Sequence, residues 1–257
     1  MKFYKYVTQE VAKIIIRDGT LKFTSPINFN DPFDYHPAVL ETGFKKFAKR
    51  LNTELGQGIK RYKTNHRESL KHLQSLRSER FREIYTGEMS VSCFSESPYI
   101  LPMWAHYADN HKGCVIEFEF NSDDYSSNDI LLLTGKLSYI ILVPFQVNYS
   151  PNRPPLYDNQ GRTDTETTGF YASLTKSKEW EYEKELRVII KKPEGVYSFE
   201  RNQMTGIYFG MKVSSSDKKE ISRLVDSSNN YTGTKIKKHD IVMAYDKFEL
   251  TKIPFRM

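Results

Sequence analysis

The stretch Trp180-Glu181-Tyr182-Glu183-Lys184-Glu185-Leu186-Arg187-Val188-Ile189-Ile190 constrains this chain more than any other. Its closing run of aliphatic residues predicts a β-strand. If the strand period of two runs back to Trp180, then Glu181, Glu183, Glu185 and Arg187 share one face. Carboxylates two residues apart on a strand stand roughly 7 Å from one another, and three in a row repel unless cations or solvent relieve them. Two readings are open for such a row. One is a solvated edge strand with Arg187 as counter-ion; the other is an acidic functional site.

The rest of the chain decides which reading to pursue. At 257 residues it is long enough to bury a real core, and with neither repeat nor linker a single α+β domain over residues 1–257 is expected. Its 17 Tyr and 16 Phe favour a pleated, half-buried surface, hence a mostly antiparallel sheet. No apolar run reaches membrane length, and the longest, near Ile140 to Val143, is strand-sized. Met1 to Tyr6 carries no apolar signal region, and Cys93 and Cys114 make no disulfide framework. The expectation is a cytoplasmic protein without membrane attachment.

Charge is unevenly placed. Between Phe44 and Ile84 twelve Lys or Arg face four Glu, so that segment carries +8; the remainder, 26 basic against 28 acidic residues, carries −2. Residues 38–86 therefore read as a basic, mostly helical insertion, broken at Gly56-Gln57-Gly58, with sparse apolar positions such as Phe44, Phe47, Leu51 and Leu55. A solvated helix face is the plain account of a charge run. A +8 block against an acidic body suits nucleic acid or an acidic partner protein.

Along the chain, Phe3 to Val7 predicts a first strand. Thr8 caps a short helix that carries Val11, Ala12, Ile14, Ile15 and Ile16 inward and stops at Asp18-Gly19 with a left-handed residue. Leu21 to Phe23 predicts a second strand. Ser25 to Asp34, dense in Asn, Asp and Pro yet carrying Phe29 and Phe33, predicts a loop pinned to the core, a common place for a site. Further strands are expected at Ser90 to Ser95, Cys114 to Phe120, Tyr139 to Tyr149 and Gly206 to Gly210. Helices are expected around Met103 to Ala108 and from a Ser216-Asp217 cap to about Asp226. A long loop is expected over 150–172, and closing strands from Asp240 to Ile253.

Few residues carry a chemical signature by themselves. Cys93, His106, His111 and Cys114 match no zinc spacing, so no metal is expected. There is no P-loop, no GxGxxG and no nucleophile elbow. Trp104 and His106 read as packing plus a satisfied imidazole, or as an aromatic wall and polar rim around a ligand.

The segments YKY, GTLKFTSPINFNDPFD, VSCFSES, MWAHYADNHKGCVIEF and KEWEYEKELRVI together resemble the bacterial family known as domain of unknown function 2971, from residue 3 to about 212. That family is similar in layout to the ADP-ribosyltransferases: a split, mostly antiparallel sheet, here with a basic helical insertion. The resemblance implies NAD as substrate, Glu185 as the catalytic carboxylate with Glu183 before it, and Ser95 as the serine of a second motif. Tyr4 or Lys5 stands where transferases keep His or Arg. It further implies that Ser25, Asn30 and Asp31 line or brace the pocket, with Tyr107 or Trp104 as its aromatic wall and His106 among the cofactor-binding residues. A fixed carboxylate suits that chemistry, because cleaving the nicotinamide–ribose bond builds oxocarbenium character that an adjacent anion stabilises. With the basic segment 44–84 guiding phosphates, the expected acceptor is RNA or DNA, and the expected setting a toxin or phage-defence effector held by an antitoxin-like partner. The alternatives are a non-catalytic module that binds nucleic acid or nucleotide, and an RNA nuclease using His106 with Glu185.

Overall fold

The computed structural model describes residues 1–54, 80, 83, 89–124, 138–163 and 165–255. An eight-stranded sheet organises them. Its strands are β1 (Lys2–Val7), β3 (Ser90–Ser95), β4 (Cys114–Glu119), β5 (Phe145–Gln146), β8 (Glu185–Ile190), β10 (Met204–Phe209), β11 (Lys237–Met243) and β12 (Leu250–Pro254). They lie in the order β12-β11-β10-β4-β1-β3-β8-β5, antiparallel throughout except between β10 and β11. Two further ribbons pair β2 (Thr20–Phe23) with β9 (Gly195–Ser198), and β6 (Asn148–Ser150) with β7 (Thr175–Ser177). The helices are α1 (Gln9–Asp18), α2 (Glu41–Glu54), α3 (Leu101–Tyr107), α4 (Thr165–Ser173) and α5 (Ser215–Thr232). The expected mixed α and β content with a large, mostly antiparallel sheet is what folds.

Alternation decides the two faces. In β4, Cys114, Ile116 and Phe118 enter one core with Phe3, Ile15, Ile207 and Val225, under α1 and α5. Val115 points the other way, into a second core with Trp104 of α3, Tyr208 and Ile241. The parallel pair β10–β11 needs a crossover, and α5 supplies it.

Local chemistry sets the helix ends. The Thr8 side chain accepts from Val11 N, and Gly19, at φ 65°, closes α1 by donating to Ile15 O. Only Ala12, Ile15 and Ile16 of that helix are buried; Val11 and Ile14 are exposed, because a ten-residue helix lays one narrow stripe on the sheet. Helix α5 is capped by Ser214 rather than Ser216, and runs past Asp226 to Thr232. The expected loop over 150–172 contains α4, a threonine-rich helix that propensity disfavours. Phe33 is 60% exposed instead of pinned to the core. Of the insertion expected over 38–86, α2 is described, anchored by Phe44 against Leu156 and Tyr157. The expected break at Gly56 to Gly58 and most of the basic residues lie outside the described residues. Among the described residues no helix is long and apolar enough to cross a membrane.

Candidate functional site

The chain ahead of β8 is a 3-10 turn, Lys178–Glu183, not an extension of the strand. Ser177 caps it, and Lys184 closes it in the left-handed region at φ 46°. The turn breaks the period of two, so Glu181 is exposed while Glu183 and Glu185 are both buried and Lys184 between them faces solvent. Ser95 Oγ donates to Glu183 O at 2.7 Å, and Glu185 N donates to Tyr149 OH at 2.7 Å.

Buried carboxylates are stable only with partners. Arg187, fully buried, donates from Nε to Glu185 Oε1 at 2.8 Å and from Nη2 to Glu185 Oε2 at 3.1 Å. It also reaches Asp34 Oδ1 at 2.8 Å and Ser173 O at 2.7 Å. The Phe29 and Tyr35 rings pack against its guanidinium, Tyr35 at the unusual φ of 56°. Lys176 Nζ bridges the glutamates, 2.6 Å from Glu183 Oε2 and 2.9 Å from Glu185 Oε2. Tyr107 OH donates to Glu183 Oε1 at 2.7 Å. Cations thus relieve Glu183 and Glu185, and exposure relieves Glu181. Burial pushes the Glu185 carboxyl up, but Arg187 and Lys176 outweigh it and hold the group at about 2. Burial works against the Lys176 ammonium too, and the two glutamates overcome it, raising that group well above its ordinary range.

The carboxylates floor a cavity of about 310 Å³. It opens where the sheet divides. β1 meets β3 through Tyr4 and Ser95 alone, whereas β1 pairs with β4, and β3 with β8, along their whole lengths. Farther along β3 its edge is taken by Thr24, which exchanges two backbone hydrogen bonds with Val91. Between those contacts lies Lys5, whose Nζ donates to Ser92 Oγ and to Cys93 O, both at 2.9 Å, above the Phe94 ring. A side chain thereby serves a carbonyl on the unpaired edge. Burial lowers the Lys5 pKa.

Of the residues that the sequence singles out, Tyr4, Lys5, Asn30, Tyr107, Glu183 and Glu185 line this cavity. Ser95 is buried behind Glu183. Ser25, Asp31, Trp104 and His106 are not part of the lining. Ser25 N donates to Glu194, Asp31 Oδ1 accepts from Phe33 N, and the buried Trp104 indole donates to Pro98 O. His106 is exposed. Lys176, Asp34, Ser92 and Cys93 also line the cavity. Arg187 and Asp34 had a signal, the first two residues beyond Glu185 and the second in the Asp-Pro-Phe-Asp turn; Lys176, in a Thr-Lys-Ser-Lys run, had none. Among the described residues no three His, Cys, Asp or Glu converge as metal ligands.

No curated protein and no solved structure matches the chain. The stretch that contains Tyr107, Lys176, Glu183, Glu185 and Arg187 does have a match: residues 103–188 fit the family described as protein of unknown function (DUF2971).

Proposed function

We propose that the cavity between β1 and β3 binds NAD and that the protein transfers ADP-ribose from it. The observation that carries the reading is the convergence on one cavity of two buried glutamates from the head of β8 with Tyr4, Lys5 and Tyr107. About 310 Å³ is the lower end of ordinary ligand pockets, enough for a sugar and its base, with the rest of a dinucleotide across the mouth.

The bonding pattern divides the work between the glutamates. Glu185 Oε2 already accepts from both Lys176 and Arg187, and Oε1 accepts from Arg187, so Glu185 is the anchor. Glu183 accepts two such bonds, from Tyr107 and Lys176, against three on Glu185, and both of its oxygens have room for another. Glu183 therefore takes the ribose 2′-hydroxyl and faces the positive charge that develops at the anomeric carbon as nicotinamide leaves. Tyr107 provides the ring wall. The +8 segment 44–84 leads a nucleic-acid acceptor to the site, and an acidic partner such as an antitoxin would cover the same segment.

The three ion-pair bonds on Glu185 also favour a second reading, a non-catalytic module in which the ion network only shapes a nucleotide pocket. Incubating the protein with labelled NAD and RNA, DNA or cell lysate separates the two. Transfer of label that Glu183→Gln abolishes supports the enzyme; intact NAD in all three mixtures removes it.

A further inference from the structure

The ribbon β6–β7 has two faces with different duties. Its strands run parallel with Asn148 beside Thr175, Tyr149 beside Lys176 and Ser150 beside Ser177. Successive side chains alternate across such a ribbon. Tyr149 and Lys176 reach back to Glu185 and Glu183. Asn148, Ser150 and Thr175 instead line a second cavity of about 420 Å³.

The chemistry of that cavity is selective. Among the described residues its lining holds no carboxylate. Asn148, Asn152 and Thr168 bring neutral polar side chains, while the Ser150 and Thr175 hydroxyls donate within the protein, to Asn152 O and Tyr171 O. One cation, Arg153, completes the wall, its Nη1 2.6 Å from His36 Nδ1 and its guanidinium 5.7 Å from the centre of the Phe33 ring. A guanidinium carries five N–H groups, and this contact uses one. Tyr171, 61% exposed, adds an aromatic face. The floor is braced by backbone, since Ala38 N donates to Pro154 O at 2.8 Å and Leu156 N to Ala38 O at 2.8 Å.

An aromatic face, amide groups and a guanidinium are complementary to a base, its polar edge and its phosphate. We propose that this second cavity binds a nucleoside phosphate, either free or as one unit of a single strand. The base stacks on Tyr171, and the phosphate meets Arg153. The assignment is independent of what the cavity between β1 and β3 does.

The test uses the whole chain with two probes: a labelled four-nucleotide single-stranded RNA, read by fluorescence anisotropy, and the four nucleoside monophosphates, read by calorimetry. Tyr171→Ala is expected to weaken binding at least about fivefold, while Tyr171→Phe, which keeps the ring, stays within about twofold. Arg153→Gln is expected to weaken binding and to lower the salt slope by about one. Losses with the tetranucleotide alone assign a unit of a strand; losses with the monophosphates assign the free nucleotide. Unchanged affinity for both probes in Tyr171→Ala and Arg153→Gln, or no binding of either by the wild-type chain, overturns the proposal.

Discussion

Tyr4 of β1 and Ser95 of β3 form the residue pair at which the two halves of the sheet meet. Everything proposed for the first cavity follows from how little joins those halves. A continuous ladder would close the space between the strands and satisfy the Cys93 carbonyl with a backbone N–H. The strands part instead, Lys5 bonds that carbonyl, and the gap opens onto Glu183 and Glu185.

Lys5 should titrate unlike an ordinary lysine. Burial lowers its pKa, so at mildly alkaline pH more of it is the neutral amine. A pH titration of the lysine side-chain NMR resonances should place Lys5 below the ordinary value of 10.5. An unshifted value would mean that its amine is solvated, and a raised one that it pairs with a carboxylate such as Glu185 instead.

Arg187 holds Asp34 and Glu185 in a dry interior, and its removal strands both. Arg187→Met should cost about 3–5 kcal/mol in urea unfolding at neutral pH. Arg187→Lys should recover part of the loss, since an ammonium keeps the charge but not the fork that spans both carboxylates. A loss under about 1 kcal/mol in Arg187→Met would show that water relieves the acids instead.

The same network makes stability depend on acid. Glu185 is held at about 2 in the folded chain against an ordinary 4.5, so its contribution is complete above about 4.5 and is lost as pH falls toward 2. The linked loss is of the order of 3 kcal/mol. Urea midpoints between pH 6 and pH 2 should fall for the wild type. In Glu185→Gln this part of the slope should vanish, and an unchanged slope would mean that Glu185 is not so held.

The two glutamates should separate in a turnover assay. Glu183→Gln is expected to cut ADP-ribose transfer by about 10²-fold or more and to cost less stability than Glu185→Gln, because Lys176 keeps Glu185 as its counter-ion. Glu185→Gln should lower stability as well as turnover, because it breaks the Arg187 and Lys176 contacts. Equal stability losses in both variants would contradict the division between reacting group and anchor.

Much of the fold was legible in the sequence, and the failures have physical causes. Period-two alternation at Cys114 to Glu119 and the Thr8 and Gly19 caps are local signals, and local signals carry through. The turn at Lys178–Glu183 was not legible, because alternating charge imitates a strand and the break depends on Lys184 accepting a left-handed backbone. Strand β9 owes its existence to β2, a partner distant in sequence. In the site, the glutamates and Tyr107 could be named from their motifs. Lys176 could not, since a lysine in a polar run looks solvated until folding buries it between two acids. Trp104 drew attention by its bulk, and it serves the core.

Soaking NAD into crystals of the Glu183→Gln variant asks whether the gap between β1 and β3 receives the nicotinamide end of NAD. Nicotinamide seated beside Tyr107, with the ribose 2′-hydroxyl within hydrogen-bonding distance of side chain 183, is the predicted result. NAD bound elsewhere, or an empty gap at saturating NAD, would contradict it.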